Sequence, residues 1–269
     1  MMEINKIYNE NCLDTMARMP NNFIDLTVTS PPYDNLRTYN DKIDKTWNED
    51  VWQLIIKELF RITKEGGVVV WVVGDATING SETGTSFKQA LFFMQCGFRL
   101  HDTMIYLKDK SVFPEKIRYG QIFEYMFVFS KYKPKTHNLI KDRKNKYLKV
   151  NSGTERLKNG ETLRQNSINL KEYGNRDNVW LYSTGYQKSA KDFIAYEHPA
   201  IMPEKLAADH IASWSNKGDL IYDPFMGSGT TAKMAYLQNR NYIGSEISSE
   251  YIKIAEKRLK PYLTQTRLF

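Results

Sequence analysis

The feature that most limits what this chain can become lies near its carboxyl end. An apolar segment, Asp219–Asp223, runs directly into Pro224-Phe225-Met226-Gly227-Ser228-Gly229-Thr230-Thr231-Ala232, and a helix-forming stretch, Gly229–Asn239, overlaps it. The pattern G-x-G-x-x-A at the joint of a strand and a helix lets the backbone turn sharply and approach a ligand closely. The helix amino terminus then presents unpaired N–H groups to that ligand. About 20 residues beyond the first glycine, Glu246 closes the next strand, Asn241–Ser245, where an acid accepts hydrogen bonds from ribose hydroxyls. These residues imply a nucleoside cofactor. The pattern alone leaves its kind open. A dinucleotide would set pyrophosphate over the loop and S-adenosylmethionine its amino-acid part, and Asp223 at the strand end favours a ligand with an ammonium group.

The rest of the chain alternates in the same way. Ile24–Thr29 and Val68–Val73 read as buried strands. Asn48–Lys64, with Val51, Trp52, Ile55, Leu59 and Ile62 at helical spacing, reads as an amphipathic helix closed by Gly66-Gly67. A helix over Thr85–Cys96 and strands over Phe98–Leu107 and Phe123–Ser130 follow, and later a helix from Pro203 to Trp214 and one over Ser249–Lys260. Strands separated by helices predict an α/β fold, a doubly wound and mostly parallel sheet.

Composition removes other classes. In 269 residues, 41% hydrophobic and 13% aromatic content marks a globular chain. The longest strongly apolar run, Val68–Val73, falls far short of a membrane span. Met1-Met2-Glu3-Ile4-Asn5-Lys6 lacks the pattern of a secretory signal, so a cytoplasmic protein is expected. Cys12 and Cys96 are too few for a disulfide framework or a four-ligand zinc site, and His101, His137 and His210 show no ligand spacing, so no metal is expected.

The net charge of +7 is not spread evenly. Between Lys131 and Arg176 thirteen Lys or Arg face four acids, a local net of +9, which leaves −2 for everything else. That stretch shows no clean period of 3.6 or 2, and divides the chain into 1–130, a basic segment 131–196, and 197–269. A solvated insertion and a nucleic-acid surface explain it equally well on composition alone.

Directly after the strand Ile24–Val28 stands Thr29-Ser30-Pro31-Pro32-Tyr33. Two prolines fix their own φ, donate no hydrogen bonds and hold the preceding residue extended, so the element is a rigid loop at the ligand-binding edge of the sheet. Ser-Pro-Pro-Tyr followed later by Asp-Pro-Phe-Met-Gly-Ser-Gly-Thr-Thr resembles the DNA amino-methyltransferases in which the catalytic motif precedes the cofactor loop. Ile7–Asp14, Leu59–Gly67, Glu124–Lys131 and His198–Leu206 are similar to family segments in the same order. The resemblance spans nearly everything outside 132–195.

The resemblance implies a Rossmann-like S-adenosylmethionine-dependent methyltransferase acting on DNA. An exocyclic base amine is a poor nucleophile because its lone pair is delocalised into the ring, and a positioned acceptor helps to localise it for in-line attack on a methyl group. By the resemblance Ser30 and the Pro31 carbonyl do this work, with Pro32 completing the rigid motif and Tyr33 stacking on a base flipped from the duplex. Phe225, Gly227, Ser228, Gly229 and Thr230 would line the cofactor loop beside Asp223. Glu246 would hold the ribose, and Asn11, Cys12, His198 and Lys205 would complete the cofactor site. Many relatives carry Gly-Asp where this chain has Glu10-Asn11. The segment 131–196 coincides with the family's target-recognition region, which gives Lys141, Arg143, Lys144, Lys146 and Lys149 phosphate contacts as their task. Trp180, Tyr182 and Tyr186 are expected to anchor that segment rather than stack on bases.

Thr-Ser-Pro-Pro-Tyr is the form associated with cytosine-N4 methylation, with adenine-N6 as the alternative. A protein-glutamine methyltransferase and a non-catalytic DNA-binding module are the rival classes. The motif order and the basic segment speak against the first, the intact Ser30 and cofactor loop against the second. Carbon-5 chemistry needs a Pro-Cys nucleophile, which neither cysteine offers, so both are expected to be packing residues. A companion restriction endonuclease and a homodimer are expected by analogy.

Overall fold

The computed structural model describes residues 2–33, 47–109, 117–150, 153–164 and 166–264. They form two compact units, one of residues 1–138 with 178–269 and one of residues 139–177.

The first unit is built on an eight-stranded sheet. Its elements in chain order are β1 (Lys6–Tyr8), α1 (Cys12–Ala17), β2 (Ile24–Thr29), α2 (Glu49–Ile62), β3 (Thr63–Val73), α3 (Thr85–Gln95), β4 (Arg99–Lys108) and β5 (Phe123–Ser130). After the second unit come β6 (Val179–Tyr182), α4 (Glu204–Trp214), β7 (Leu220–Asp223), α5 (Thr230–Leu237), β8 (Asn241–Ser245) and α6 (Ser249–Leu263). The spatial order is β1-β8-β7-β2-β3-β5-β4-β6. All pairs are parallel except those that β5 makes with β3 and β4. The doubly wound, mostly parallel α/β sheet expected from the alternation is therefore present.

Its burial follows from side-chain alternation. Val69, Trp71 and Val73 point into a core with Trp52, Ile55, Leu59 and Phe93 of α2 and α3. Val68, Val70 and Val72 point to the opposite face and are equally buried, so both faces are covered. Trp52, Trp71 and Trp214 are core residues as the pattern predicts, each under 5% exposed. Trp180 and Tyr182 are buried, and the Tyr182 hydroxyl donates to Asp209 at 2.8 Å, so both anchor β6. Tyr186 departs from the anchoring expectation: it is 66% exposed, against Phe193 and Tyr196.

One boundary also differs. Helix α2 stops at Ile62, not at Gly66-Gly67, because the Thr63 hydroxyl and backbone N–H both turn back to the Leu59 carbonyl while Thr63 itself is extended. Residues 64–67 then form an irregularity in the β2–β3 pairing, where Ile24 faces Thr63 but Leu26 already faces Val68.

The second unit is a nested antiparallel ribbon. Arg143–Lys144 pairs with Tyr173–Gly174, Lys149–Val150 with Ile168–Asn169, and Thr154–Arg156 with Thr162–Arg164. A turn with Gly160 at φ +88 closes its tip. The +9 stretch is therefore divided: Lys131, Lys133 and Lys135 belong to the first unit, and the ribbon carries ten Lys or Arg against five acids.

Candidate active site

The sheet order places the site. After β2 the chain proceeds to its neighbour β3, and after β7 to its neighbour β8 on the other side, so β2 and β7 lie side by side with connections leading away from each other. The crevice beyond the carboxyl ends of such a strand pair is where open α/β sheets bind ligands. Thr29 ends β2 and Asp223 ends β7, and the Thr29 hydroxyl donates to Asp223 Oδ1 at 2.6 Å. The Ser-Pro-Pro-Tyr loop and the glycine loop thus start from adjacent points.

A cavity of about 560 Å³ opens there, within the range of small-molecule sites. Ser30, Pro32 and Tyr33 line it, as do Asn11, Cys12, His198, Asp223, Phe225, Gly227, Ser228, Thr230 and Glu246. Pro31 is buried and outside the lining. Gly229 is the residue before α5, at φ +81, and supports the turn from behind. Lys205 stands on α4 with its side chain 66% exposed, paired to Asp209 at 3.0 Å and outside the cavity lining. Asn11 caps α1 by accepting from Leu13 N–H at 2.9 Å. Burial pushes the Cys12 thiol up to about 12, which keeps it neutral, as a packing residue should be.

Two acids shape the glycine loop. Glu246 accepts from Gly227 N–H and Ser248 N–H, both at 2.8 Å, and Asp223 accepts from Phe225 N–H at 3.0 Å. Gly227 and Gly229 both need glycine for their φ of +51 and +81; a Cβ on Gly227 would press on the His198 ring at 3.0 Å, and one on Gly229 would clash with Ala255 Cβ at 2.7 Å, so Gly229 needs glycine for space as well. Burial drives the Asp223 carboxyl up to about 6, against the hydrogen bonds from Thr29, Thr231 and Phe225. Burial also raises Glu246, opposed by the backbone N–H groups of Ser248 and Gly227.

This donor set discriminates between the cofactors the sequence left open. Among the described lining residues three are carboxylates, Glu124, Asp223 and Glu246, and the sole Lys or Arg, Lys108, is paired with Glu124, which leaves Asp223 and Glu246 as the acceptors facing a ligand. A pyrophosphate would meet uncompensated negative charge, whereas a sulfonium with an ammonium group and a ribose diol finds acceptors. The residues fit S-adenosylmethionine.

Beneath the loop lies a group the sequence did not disclose. Arg258 is fully buried and donates to the Ser228 carbonyl at 2.7 Å, to Thr230 Oγ1 at 3.1 Å and to Glu204 Oε1 at 2.8 Å. Lys233, 2% exposed at its side chain, reaches Glu204 Oε1 at 2.6 Å, and both cations also bind Asp192. Two cations and two anions thereby tie α4, α5 and α6 to the loop. Burial works to raise the Asp192 carboxyl, but hydrogen bonds from Lys233 and Arg258 prevail and hold it at about 2. Glu124 and Lys108, paired at 2.6 Å within the cavity lining, also went unrecognised as site residues. Their signal is positional: both stand at strand ends on the ligand edge.

Comparison with known proteins agrees with this geometry. Residues 24–257 match the family model described as DNA methylase. The chain is 62% identical over 244 residues to the orphan methyltransferase M.BamHII of Bacillus amyloliquefaciens, covering 89% of this chain and 90% of that one. Among solved structures it resembles the cytosine-N4-specific PvuII DNA methyltransferase, with a TM-score of 0.70 at 20% identity, over 100% of this chain and 89% of that one. The Thermus thermophilus protein TTHA0409 complexed with S-adenosyl-L-methionine gives a TM-score of 0.65 at 20% identity, over 97% of this chain and 95% of that one.

Proposed function

Since the chain belongs to the DNA methylase family, with S-adenosyl-L-methionine as methyl donor, we propose that it methylates the exocyclic N4 amine of a cytosine flipped out of duplex DNA. The observation that carries this is Ser30, a neutral hydroxyl in a Thr-Ser-Pro-Pro-Tyr loop that shares one cavity with the glycine loop. By the resemblance this form goes with cytosine-N4 methylation, and Asp or Asn in place of Ser30 more often with adenine-N6.

The residues take the following parts. Glu246 would hold the ribose, Phe225 and Trp47, in edge contact at 5.4 Å, the apolar side of the nucleoside, and Asp223 the cationic end. When bound, the cofactor supplies a methyl group made electrophilic by its sulfonium. Ser30 Oγ accepts an amine hydrogen and turns the nitrogen lone pair outward, Pro31, buried behind the lining, and Pro32 keep the loop rigid, and Tyr33 offers its ring to the base.

The ribbon, residues 139–177, supplies the DNA contacts at the centre of the target-recognition segment 131–196, while the flanks of that segment, 131–138 and 178–196, belong with 1–130 and 197–269 to the unit that carries the catalytic fold. A two-stranded β-ribbon is one of the few elements a major groove admits. Lys141, Arg143, Lys144, Lys146 and Lys149 are exposed along it. An exposed apolar stripe on α3, Phe87, Leu91 and Met94, supports the expected homodimer. The orphan name of the Bacillus amyloliquefaciens relative speaks against a companion endonuclease.

Duplex DNA incubated with the protein and isotope-labelled cofactor, then digested to nucleosides, tests the reading by mass spectrometry. N4-methylcytosine is expected. N6-methyladenine alone would overturn the choice of base, and labelled protein without labelled DNA would overturn the DNA substrate.

A further inference from the structure

Resting on the proposal that Ser30 serves a base amine, we infer that Glu124 is a positioning residue for methyl transfer: acting through Tyr33, it fixes Ser30 as a hydrogen-bond acceptor toward the substrate. The topology brings it there. Because β5 runs antiparallel to β3 and β4, its first residues arrive where those strands end, with Tyr125 opposite Val73 and Glu124 opposite Tyr106. Glu124 is thus delivered to the ligand edge from the amino end of its strand, and its side chain is only 13% exposed.

Hydrogen-bond counting sets the direction. Tyr33 Oη lies 2.7 Å from Glu124 Oε2, 3.2 Å from the Val72 carbonyl and 2.9 Å from Ser30 Oγ. A carboxylate and a carbonyl can only accept. The single phenol proton therefore goes to one of them, and the bond between Tyr33 and Ser30 runs with Ser30 donating. That commits the one proton of Ser30. Its lone pairs are what remain for an amine hydrogen, which is the polarity the reaction needs. A serine free to donate would compete for the nitrogen lone pair. The carboxylate is the stronger of the two acceptors, because a charged acceptor bonds a phenol more tightly than a neutral carbonyl. Lys108, at 2.6 Å from Glu124 Oε1, supplies its counter-charge.

The same chain balances the proton. When the nitrogen–methyl bond forms and the sulfur–methyl bond breaks, its electron pair stays on sulfur and the nitrogen must shed one proton. Ser30 Oγ takes that proton as its own moves to Tyr33, and the proton of Tyr33 moves to Glu124. Ser30 and Tyr33 are restored, and Glu124 ends as a neutral acid that loses its proton to water.

The nearly isosteric Glu124→Gln tests this. Lys108 holds the amide oxygen, so the amide N–H₂ faces Tyr33, which leaves the phenol proton the weaker Val72 carbonyl at 3.2 Å and removes the carboxylate that takes up the relayed proton. The single-turnover rate of methyl transfer on duplex DNA should fall on the order of 10²-fold. Cofactor and DNA dissociation constants and the thermal midpoint should stay within about twofold and about 2 °C of wild type. Tyr33→Phe should fall comparably, and Glu124→Gln in the Tyr33→Phe background should cost no further rate, since both break one chain. A wild-type rate in Glu124→Gln, or multiplied losses in the double variant, would overturn the inference. Absence of any amine methylation by wild type would overturn the reading it rests on.

Discussion

Thr29 Oγ1 donates to Asp223 Oδ1 at 2.6 Å, across the two strands whose connections diverge. This bond joins the residue preceding Ser30 to the residue preceding the cofactor loop. It ties the geometry of one loop to the charge of the other, since an ionised Asp223 is the better acceptor.

Asp223 makes cofactor binding pH-dependent. Burial raises its carboxyl from 3.8 to about 6 in the ligand-free protein. A raised acid contributes stability that is fully present below its unfolded value and lost as pH rises through the folded one; the window here is 3.8 to about 6. Above it the protein carries a buried charge that a cationic ligand relieves. Cofactor affinity should hold from pH 7 to 8 and weaken as pH falls through 6, by up to about tenfold per unit. Asp223→Asn should abolish this dependence and weaken binding at pH 8, yet leave the ligand-free thermal midpoint at pH 8 equal to or above wild type. Calorimetric titration across pH 5 to 8 measures both; a flat profile in the wild type would refute the coupling.

Legibility in the sequence followed locality. Ile24–Thr29, Phe123–Ser130 and Asn241–Ser245 were readable to the residue because each is a short apolar run bounded by turn signals. The cavity collects most of the residues named from the two motifs, which are contiguous in the chain. The ribbon was not readable: its strands are two or three residues long and exposed on both faces, so burial imposed no alternation. Strand β6 hid for a different reason, since exposed Val179 and Leu181 alternate with buried Trp180 and Tyr182, all apolar or aromatic. Arg258, Lys233 and Glu124 carry charges that sequence pattern assigns to the surface. Only partners distant in the chain make their burial possible.

Gly229→Ala should separate steric from conformational cost. At φ +81 any L-residue is strained by about 1–2 kcal/mol, and the added Cβ would stand 2.7 Å from Ala255 Cβ, an overpacking cost of about 1–3 kcal/mol more. Gly218, at φ +87 with nothing within 4 Å, carries the first cost alone. Urea unfolding should therefore place Gly229→Ala clearly below Gly218→Ala, with cofactor binding lost in the former and kept in the latter. Equal destabilisation would mean that α6 yields to the methyl group.

Arg258→Met removes one cation from a buried group of two cations and two anions. Glu204 and Asp192 keep Lys233, leaving a net buried negative charge, and the Ser228 carbonyl and Thr230 hydroxyl lose their donor. Breaking a buried pair from one side costs about 3–5 kcal/mol. The variant should unfold at lower denaturant and bind cofactor weakly. Adding Glu204→Gln, which removes the surplus charge, should restore part of the stability. No recovery in the double variant would place the role of Arg258 in its loop hydrogen bonds rather than in charge balance.

The ribbon should grip phosphates unequally. Arg143 is already engaged, donating to the Asn175 carbonyl at 3.0 Å and lying 3.5 Å from Asp177, whereas Lys144 and Lys149 form no ion pair among the described residues. A cation bound within its own hairpin displaces fewer counterions from DNA than one facing solvent. Lys144→Gln with Lys149→Gln should therefore lower the slope of log affinity against log salt by about 0.9 for each phosphate contact removed, while Arg143→Gln should change the slope less and loosen the ribbon. Cofactor affinity should not move in either variant. Fluorescence anisotropy on a duplex carrying the methylated site, repeated between 50 and 200 mM salt, measures these slopes. An unchanged slope in the double lysine variant would take the phosphate contacts away from this part of the ribbon.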